Sequence, residues 1–102
     1  MGKLALYRSV SRATWDGVDV QLTAGEYNIV ELLLLNVGNY MRHRAIYDVL
    51  RAPGFVPVGG SKGYRTNVGT TIKRARNKFR ALDPTFAEIE SYSSFGYRWR
   101  AQ

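Results

Sequence analysis

The chain has 102 residues, 45% hydrophobic and 23% charged, with 15 Lys and Arg against 8 Asp and Glu for a formal net charge of +7. This length suits one compact domain, and the positive excess favours a polyanionic partner such as DNA, RNA or an anionic membrane surface. The absence of cysteine excludes disulfides and thiolate metal sites; no apolar run approaches the ~20 residues of a membrane span, and none follows Lys3 as a signal peptide would require, so a cytoplasmic protein is expected.

In chain order, residues 4–21 come first and alternate in character. Asp16-Gly17 stands between Trp15 and Val18, a hairpin signal because a type I′ turn needs positive φ at both central residues. Strands are expected at 4–7, 13–15 and 18–21, in a small antiparallel sheet. Thr23-Ala24-Gly25-Glu26 then reads as a capping box, in which the Thr23 hydroxyl accepts from the third amide and Glu26 reaches back to the Thr23 amide. Behind it Tyr27, Val30, Leu33 and Leu34 recur at helical spacing. Leu32 and Leu35 widen the stripe, which predicts a helix buried on most sides and stopped near Gly38.

A second helix is expected over 43–51, with Ile46, Val49 and Leu50 inward, ended by Pro53 and Gly54. Residues 52–63 hold Pro53, Gly54, Pro57, Gly59, Gly60, Ser61 and Gly63 and read as one irregular loop, of a length usually tied to function or mobility. A third helix is expected over 68–82, with Asn67 as N-cap and Asp83-Pro84 as stop. Two short β-prone runs, at 88–90 and 97–100, flank Ser93-Ser94-Phe95-Gly96 and predict a C-terminal hairpin. The fold class is α+β. Sheet, three helices and hairpin, with the last helix basic, is the order of a winged helix-turn-helix.

The third helix carries the chemistry. A rotation of ~100° per residue gathers Val68, Ile72, Ala75 and Phe79 into one packing stripe. Thr70, Arg74 and Asn77 lie opposite, with Lys73 beside them and Arg76, Lys78 and Arg80 on the flanks. No carboxylate appears before Asp83. Small residues at the helix head (Gly69, Thr70, Thr71) would let backbone approach a groove floor. Arg74 could grip guanine with its bidentate fork and Asn77 could pair with adenine, making Thr70, Thr71, Arg74 and Asn77 the expected base readers. Lys73, Arg76, Lys78 and Arg80 would supply phosphate charge, which positions without reading sequence. A solvated basic helix face is the plainer alternative. In the hairpin, alternation sets Arg98 and Arg100 on the face opposite Tyr97 and Trp99. Arg98 is assigned towards DNA, and Arg100 serves equally as a guard against edge aggregation.

Over residues 22–99 the chain resembles the effector domain of OmpR/PhoB-type response regulators of bacterial two-component systems. Four stretches carry the resemblance: Leu22-Thr23-Ala24-Gly25-Glu26-Tyr27 at a helix start, Asn36-Val37-Gly38-Asn39-Tyr40 at a helix end, Ile72-Lys73-Arg74-Ala75-Arg76-Asn77-Lys78-Phe79 in the recognition helix, and Gly96-Tyr97-Arg98-Trp99 in the wing. The run Phe86-Ala87-Glu88-Ile89-Glu90 and the wing are most similar to the ChvI branch. The resemblance implies a four-stranded N-terminal sheet, a helix-turn-helix and a wing built on Ser93, Ser94, Arg98 and Arg100. It further implies a receiver domain preceding this region, head-to-tail dimers on direct DNA repeats, and contact with RNA polymerase by the loop after the second helix, here through Phe55, Val58 and Lys62. Three departures stand out. The loop after the second helix is longer than the family's and Gly-rich. Ser93 and Ser94 replace the usual Arg and Gly of the wing turn, and Gly69 replaces an Asp that would favour the helix start.

Other function classes fare worse. His43 is the only histidine, and with no cysteine it has no partner for a metal. The acidic residues form no paired-carboxylate motif, and Gly59-Gly60-Ser61-Lys62-Gly63 lacks P-loop spacing. Neither enzymatic activity nor a cofactor is expected. A stand-alone basic module binding RNA or a protein partner is the alternative. Single-stranded RNA readers display aromatics on an open sheet, whereas Tyr27, Tyr47, Phe79, Tyr97 and Trp99 are expected to face inward.

Overall fold

The computed structural model describes residues 2–51 and 63–101. The chain opens with β1 (Leu4–Tyr7), a 3-10 turn at Arg8–Val10, β2 (Arg12–Trp15) and β3 (Val18–Asp19), antiparallel in the order β1-β2-β3. Asp16 (φ 54°) and Gly17 (φ 84°) both take positive φ at the β2–β3 turn, the conformation their identities suggested. The sheet has three strands rather than the four implied by the resemblance, and β3 is shorter than expected. The reason is local: the Asp19 carboxylate accepts from the Gln21 amide at 2.7 Å, and Gln21 itself adopts φ 63°, which turns the chain off the sheet.

Helix α1 (Ala24–Leu35) starts on the expected capping box, with Glu26 N donating to Thr23 Oγ1 at 3.2 Å and Thr23 N to Glu26 Oε1 at 2.8 Å. Tyr27, Ile29, Val30 and Leu33 are buried, but Leu35 is 68% exposed and Leu32 and Leu34 are only half-buried. The expectation of burial on most sides fails because the packing of α1 against α2, α3 and β6 leaves Leu35 uncovered. The helix ends at Asn36, whose amide returns to Leu33 O and whose side chain donates to Leu32 O. Gly38 (φ 85°) lies beyond the end and donates its amide to Trp99 O at 2.9 Å.

A strand that the sequence did not announce, β4 (Met41–Arg42), leads into α2 (His43–Leu50), which buries Ile46 and Leu50. The loop expected after it, with Phe55, Val58 and Lys62, lies outside the described residues. Helix α3 (Tyr64–Leu82) begins four residues before the expected start. Asn67 is therefore not its cap. It sits inside the first turns, 3% exposed, and donates its amide to Gly63 O at 3.1 Å. The stop at Asp83 is where the sequence put it.

Strands β5 (Ile89–Tyr92) and β6 (Gly96–Trp99) form the C-terminal hairpin, and β4 joins it in the order β4-β6-β5. Ser94 (φ 62°) makes the turn, closed by Phe95 N donating to Tyr92 O. Gly96 is dictated by close approach: a Cβ there would lie 1.7 Å from the Met41 carbonyl oxygen, so any other residue would force β4 away from β6. The core joins all parts through four aromatics. Phe79 and Phe86 stack at 4.5 Å, while Trp15 and Trp99 meet them edge-on. The expected α3 stripe, Val68, Ile72, Ala75 and Phe79, is buried as a unit. The architecture is α+β: small sheet, three helices, hairpin.

Candidate nucleic-acid interface

The outer face of α3 presents Lys73, Arg74 and Asn77 to solvent, with Thr70 half-buried beside them. Thr71, assigned to the same face, turns inward; it is 7% exposed and its hydroxyl donates to Asn67 O at 2.9 Å. The helical wheel contained the reason, since Thr71 lies only ~40° from the Ala75 direction.

The flanking cations divide. Arg76 is drawn towards the hairpin, donating from Nε and Nη2 to Ile89 O at 3.2 and 2.7 Å, with its guanidinium over the Tyr97 ring. Burial pushes its pKa below the ordinary guanidinium value. Lys78 donates to Glu26 Oε1 at 2.7 Å and to Gln21 O at 3.0 Å, binding α3 to the start of α1. Arg80 is exposed, with one 3.4 Å bond to Phe86 O. Thus Arg76 and Lys78, expected as phosphate ligands, are engaged in holding the domain together. Each lies where the wheel meets a neighbouring element, which helical phase alone could not reveal.

In the hairpin, Arg98 donates to Glu90 Oε1 at 2.8 Å and Gly38 O at 3.3 Å and lies over the Tyr40 ring, 4.4 Å from its centroid. The hydrogen bond to Glu90 raises its pKa. Arg100 pairs with Glu88 at 2.8 Å. Ser93 and Ser94 are exposed at the turn.

The same partition runs through the whole charge set. Asp19, Glu26, Glu31, Asp48, Asp83, Glu88 and Glu90 each hold a Lys or Arg. Among the described residues, Arg42, Arg65, Lys73, Arg74, Arg76 and Arg80 make no ion pair. Most of these belong to α3, and Arg42 stands at the start of α2. Sequence reasoning overlooked Arg42, Arg44 and Arg65. The signal available was the basic run Arg42-His43-Arg44 at the start of a helix.

No protein-family model matches the chain, and no curated protein is significantly similar to it. Solved structures do match its fold. The DNA-binding domain of CpxR from E. coli superposes with a TM-score of 0.76 at 16% identity, covering 99% of this chain and 93% of that one. The DNA-binding domain of the response regulator AdeR, in complex with an intercistronic region, gives 0.79 at 13% identity, covering 100% and 97%. The Klebsiella pneumoniae RstA DNA-binding domain, in complex with the RstA box, gives 0.72 at 20% identity, covering 97% and 92%. The chain has the winged-helix fold of response-regulator effector domains.

Proposed function

We propose that the chain binds double-stranded DNA in a sequence-specific manner and regulates transcription as the output domain of an OmpR/PhoB-type response regulator. The observation that carries this reading is the charge partition: among the described residues every Lys and Arg outside α3 except Arg42 pairs with a carboxylate, while α3 presents Lys73, Arg74 and Asn77 with none opposing them. A helix of this kind fits the major groove, where Arg74 and Asn77 reach base edges, Thr70 lies near the helix head, and Lys73 and Arg80 meet phosphates. The wing turn, Ser93 and Ser94, lies towards the backbone at the flank. The AdeR and RstA domains, solved with DNA, support this partner.

The wider assignment follows from the same family reading. It includes a receiver domain in the same polypeptide, head-to-tail dimers on direct repeats, contact with RNA polymerase, a cytoplasmic location and the ChvI branch. No helix among the described residues is long and apolar enough to cross a membrane. The test is selection of bound fragments from a random duplex library by the purified chain. Enrichment of a shared site, spaced as direct repeats, is the expected result. Recovery without any enriched site, or preference for single-stranded RNA, would overturn the proposal.

A further inference from the structure

The aromatic residues expected to face inward leave Tyr40, Tyr92 and Phe95 without a role, and the structure gathers these three on the C-terminal sheet. Register explains how. Met41 stands opposite Tyr97, and Glu90 opposite Arg98, so alternation puts Tyr40, Glu90, Tyr92 and Arg98 on one face of β4-β6-β5. The opposite face carries Ile89 and Trp99 into the core. Phe95, at the hairpin turn, extends the row beyond Tyr92.

Three observations give this outer face its chemistry. The rings form a continuous row, with centroids 5.4 Å apart for Tyr40 and Tyr92 and 6.1 Å apart for Tyr92 and Phe95. Both pairs are tilted, by 40° and 47°, so the rings do not close flat on one another, and Tyr92 in the middle is 60% exposed. A guanidinium stands at each end: Arg98 lies 4.4 Å from the Tyr40 centroid, and Arg42 lies 5.1 Å from that of Phe95. Finally, the row is positively charged. Glu90 is held by Arg98 at 2.8 Å, whereas Arg42 makes no ion pair among the described residues.

Rings in a row between cations match a nucleic-acid strand whose bases are unpaired, because each base offers a π-face and each phosphate a negative charge. In a duplex those faces are closed by stacking within the helix. We propose that the outer face of the C-terminal sheet holds a single strand of DNA, with Tyr92 as the stacking platform, Tyr40 and Phe95 extending it, and Arg42 and Arg98 supplying charge at its two ends. This surface is distinct from the outer face of α3, and the inference does not rest on the duplex reading above.

The test is fluorescence anisotropy with a labelled oligothymidylate of about 12 nucleotides, a length within the range of single-strand sites. The unaltered chain should bind it. Tyr92→Ala should lower that affinity about 5- to 140-fold, equivalent to ~1–3 kcal/mol for one stacked base, and Tyr92→Phe, which keeps the ring, should restore it. An abasic oligomer of the same length should bind the unaltered chain at least as weakly as the oligothymidylate binds Tyr92→Ala. Arg74→Ala should weaken binding to the selected duplex alone. Failure of the unaltered chain to hold the oligothymidylate overturns the proposal and leaves the row of rings to a protein partner, while the duplex reading stands. Equal losses of single-strand affinity in Tyr92→Ala and Arg74→Ala place the strand on α3 and also overturn it. Failure on every duplex, with the oligothymidylate still bound, overturns the duplex reading alone. A second measurement needs no substitution: adding the oligothymidylate should shift the ring proton resonances of Tyr40, Tyr92 and Phe95 first, and shifts confined to α3 overturn the assignment.

Discussion

Helices α1 and α3 begin in opposite ways. The head of α1 is closed: Thr23 and Glu26 satisfy each other's amides, and Lys78 neutralises the Glu26 carboxylate, which is only 3% exposed. The head of α3 has no side-chain cap at Gly63 and no acid in its first turn, and Arg42, Arg44 and Arg65 gather beside it. A helix start leaves four backbone donors without intrahelical partners, and the charge set around it decides whether an anion is welcome there. The closed helix serves as scaffold. The open one, under the proposed function, meets the ligand.

The contrast can be broken from the closed side first. Glu26→Ala removes the acceptor of both the Thr23 amide and Lys78, leaving a partly buried amide without its partner and Lys78 with the Gln21 carbonyl alone. A loss of about 2–3 kcal/mol is expected, lowering Tm by roughly 8–20 °C in thermal denaturation, at about 4–8 °C per kcal/mol. From the open side, Arg74→Ala should weaken binding to the selected DNA site by about 1–3 kcal/mol and relax preference at one base pair. Its Tm should stay that of the parent, because Arg74 makes no ion pair and lies in solvent.

Smaller effects sharpen the same contrast. Thr23→Ala should cost about 1 kcal/mol of stability, a typical N-cap loss, without altering the salt dependence of DNA binding. Arg65→Glu partly closes α3 by placing an anion in its first turn. Stability should rise by about 0.3–1 kcal/mol while duplex affinity falls, and a fall in both would contradict the division between scaffold and ligand.

The smallest effect concerns Asp83, at the far end of α3. Hydrogen bonds from Thr85, then from Trp15, hold its pKa well below the usual carboxylate value. A depressed folded-state pKa stabilises the protein above the unfolded value of about 3.9, and that contribution is lost as pH falls through the lower folded value. Acid titration followed by circular dichroism should therefore show Asp83→Asn with a shallower loss of stability below about pH 4 than the parent.

What could be read in the residues was local. The Asp16-Gly17 turn, the Thr23–Glu26 box and the Val68–Ile72–Ala75–Phe79 stripe depend on neighbours a few positions away, and each appears in the structure as the sequence implied. The start of α3 did not, because Asn67 has the chemistry of a cap and can equally donate backwards from inside a helix to Gly63. Leu35 read as core because helical phase says which residues share a side, and says nothing of whether another element covers that side.

The candidate site was legible to the same extent. The basic helix, its outer face and its inward stripe were determined by sequence periodicity alone. Which cations remain available was decided only by the tertiary structure, because ion pairs form between residues distant in sequence. Lys78 is matched to Glu26 and Arg98 to Glu90, and Arg76 is drawn to the Ile89 carbonyl. Arg42 and Arg65, separated along the chain, meet at one cleft because β4 pairs with β6 and sets the head of α2 against the wing.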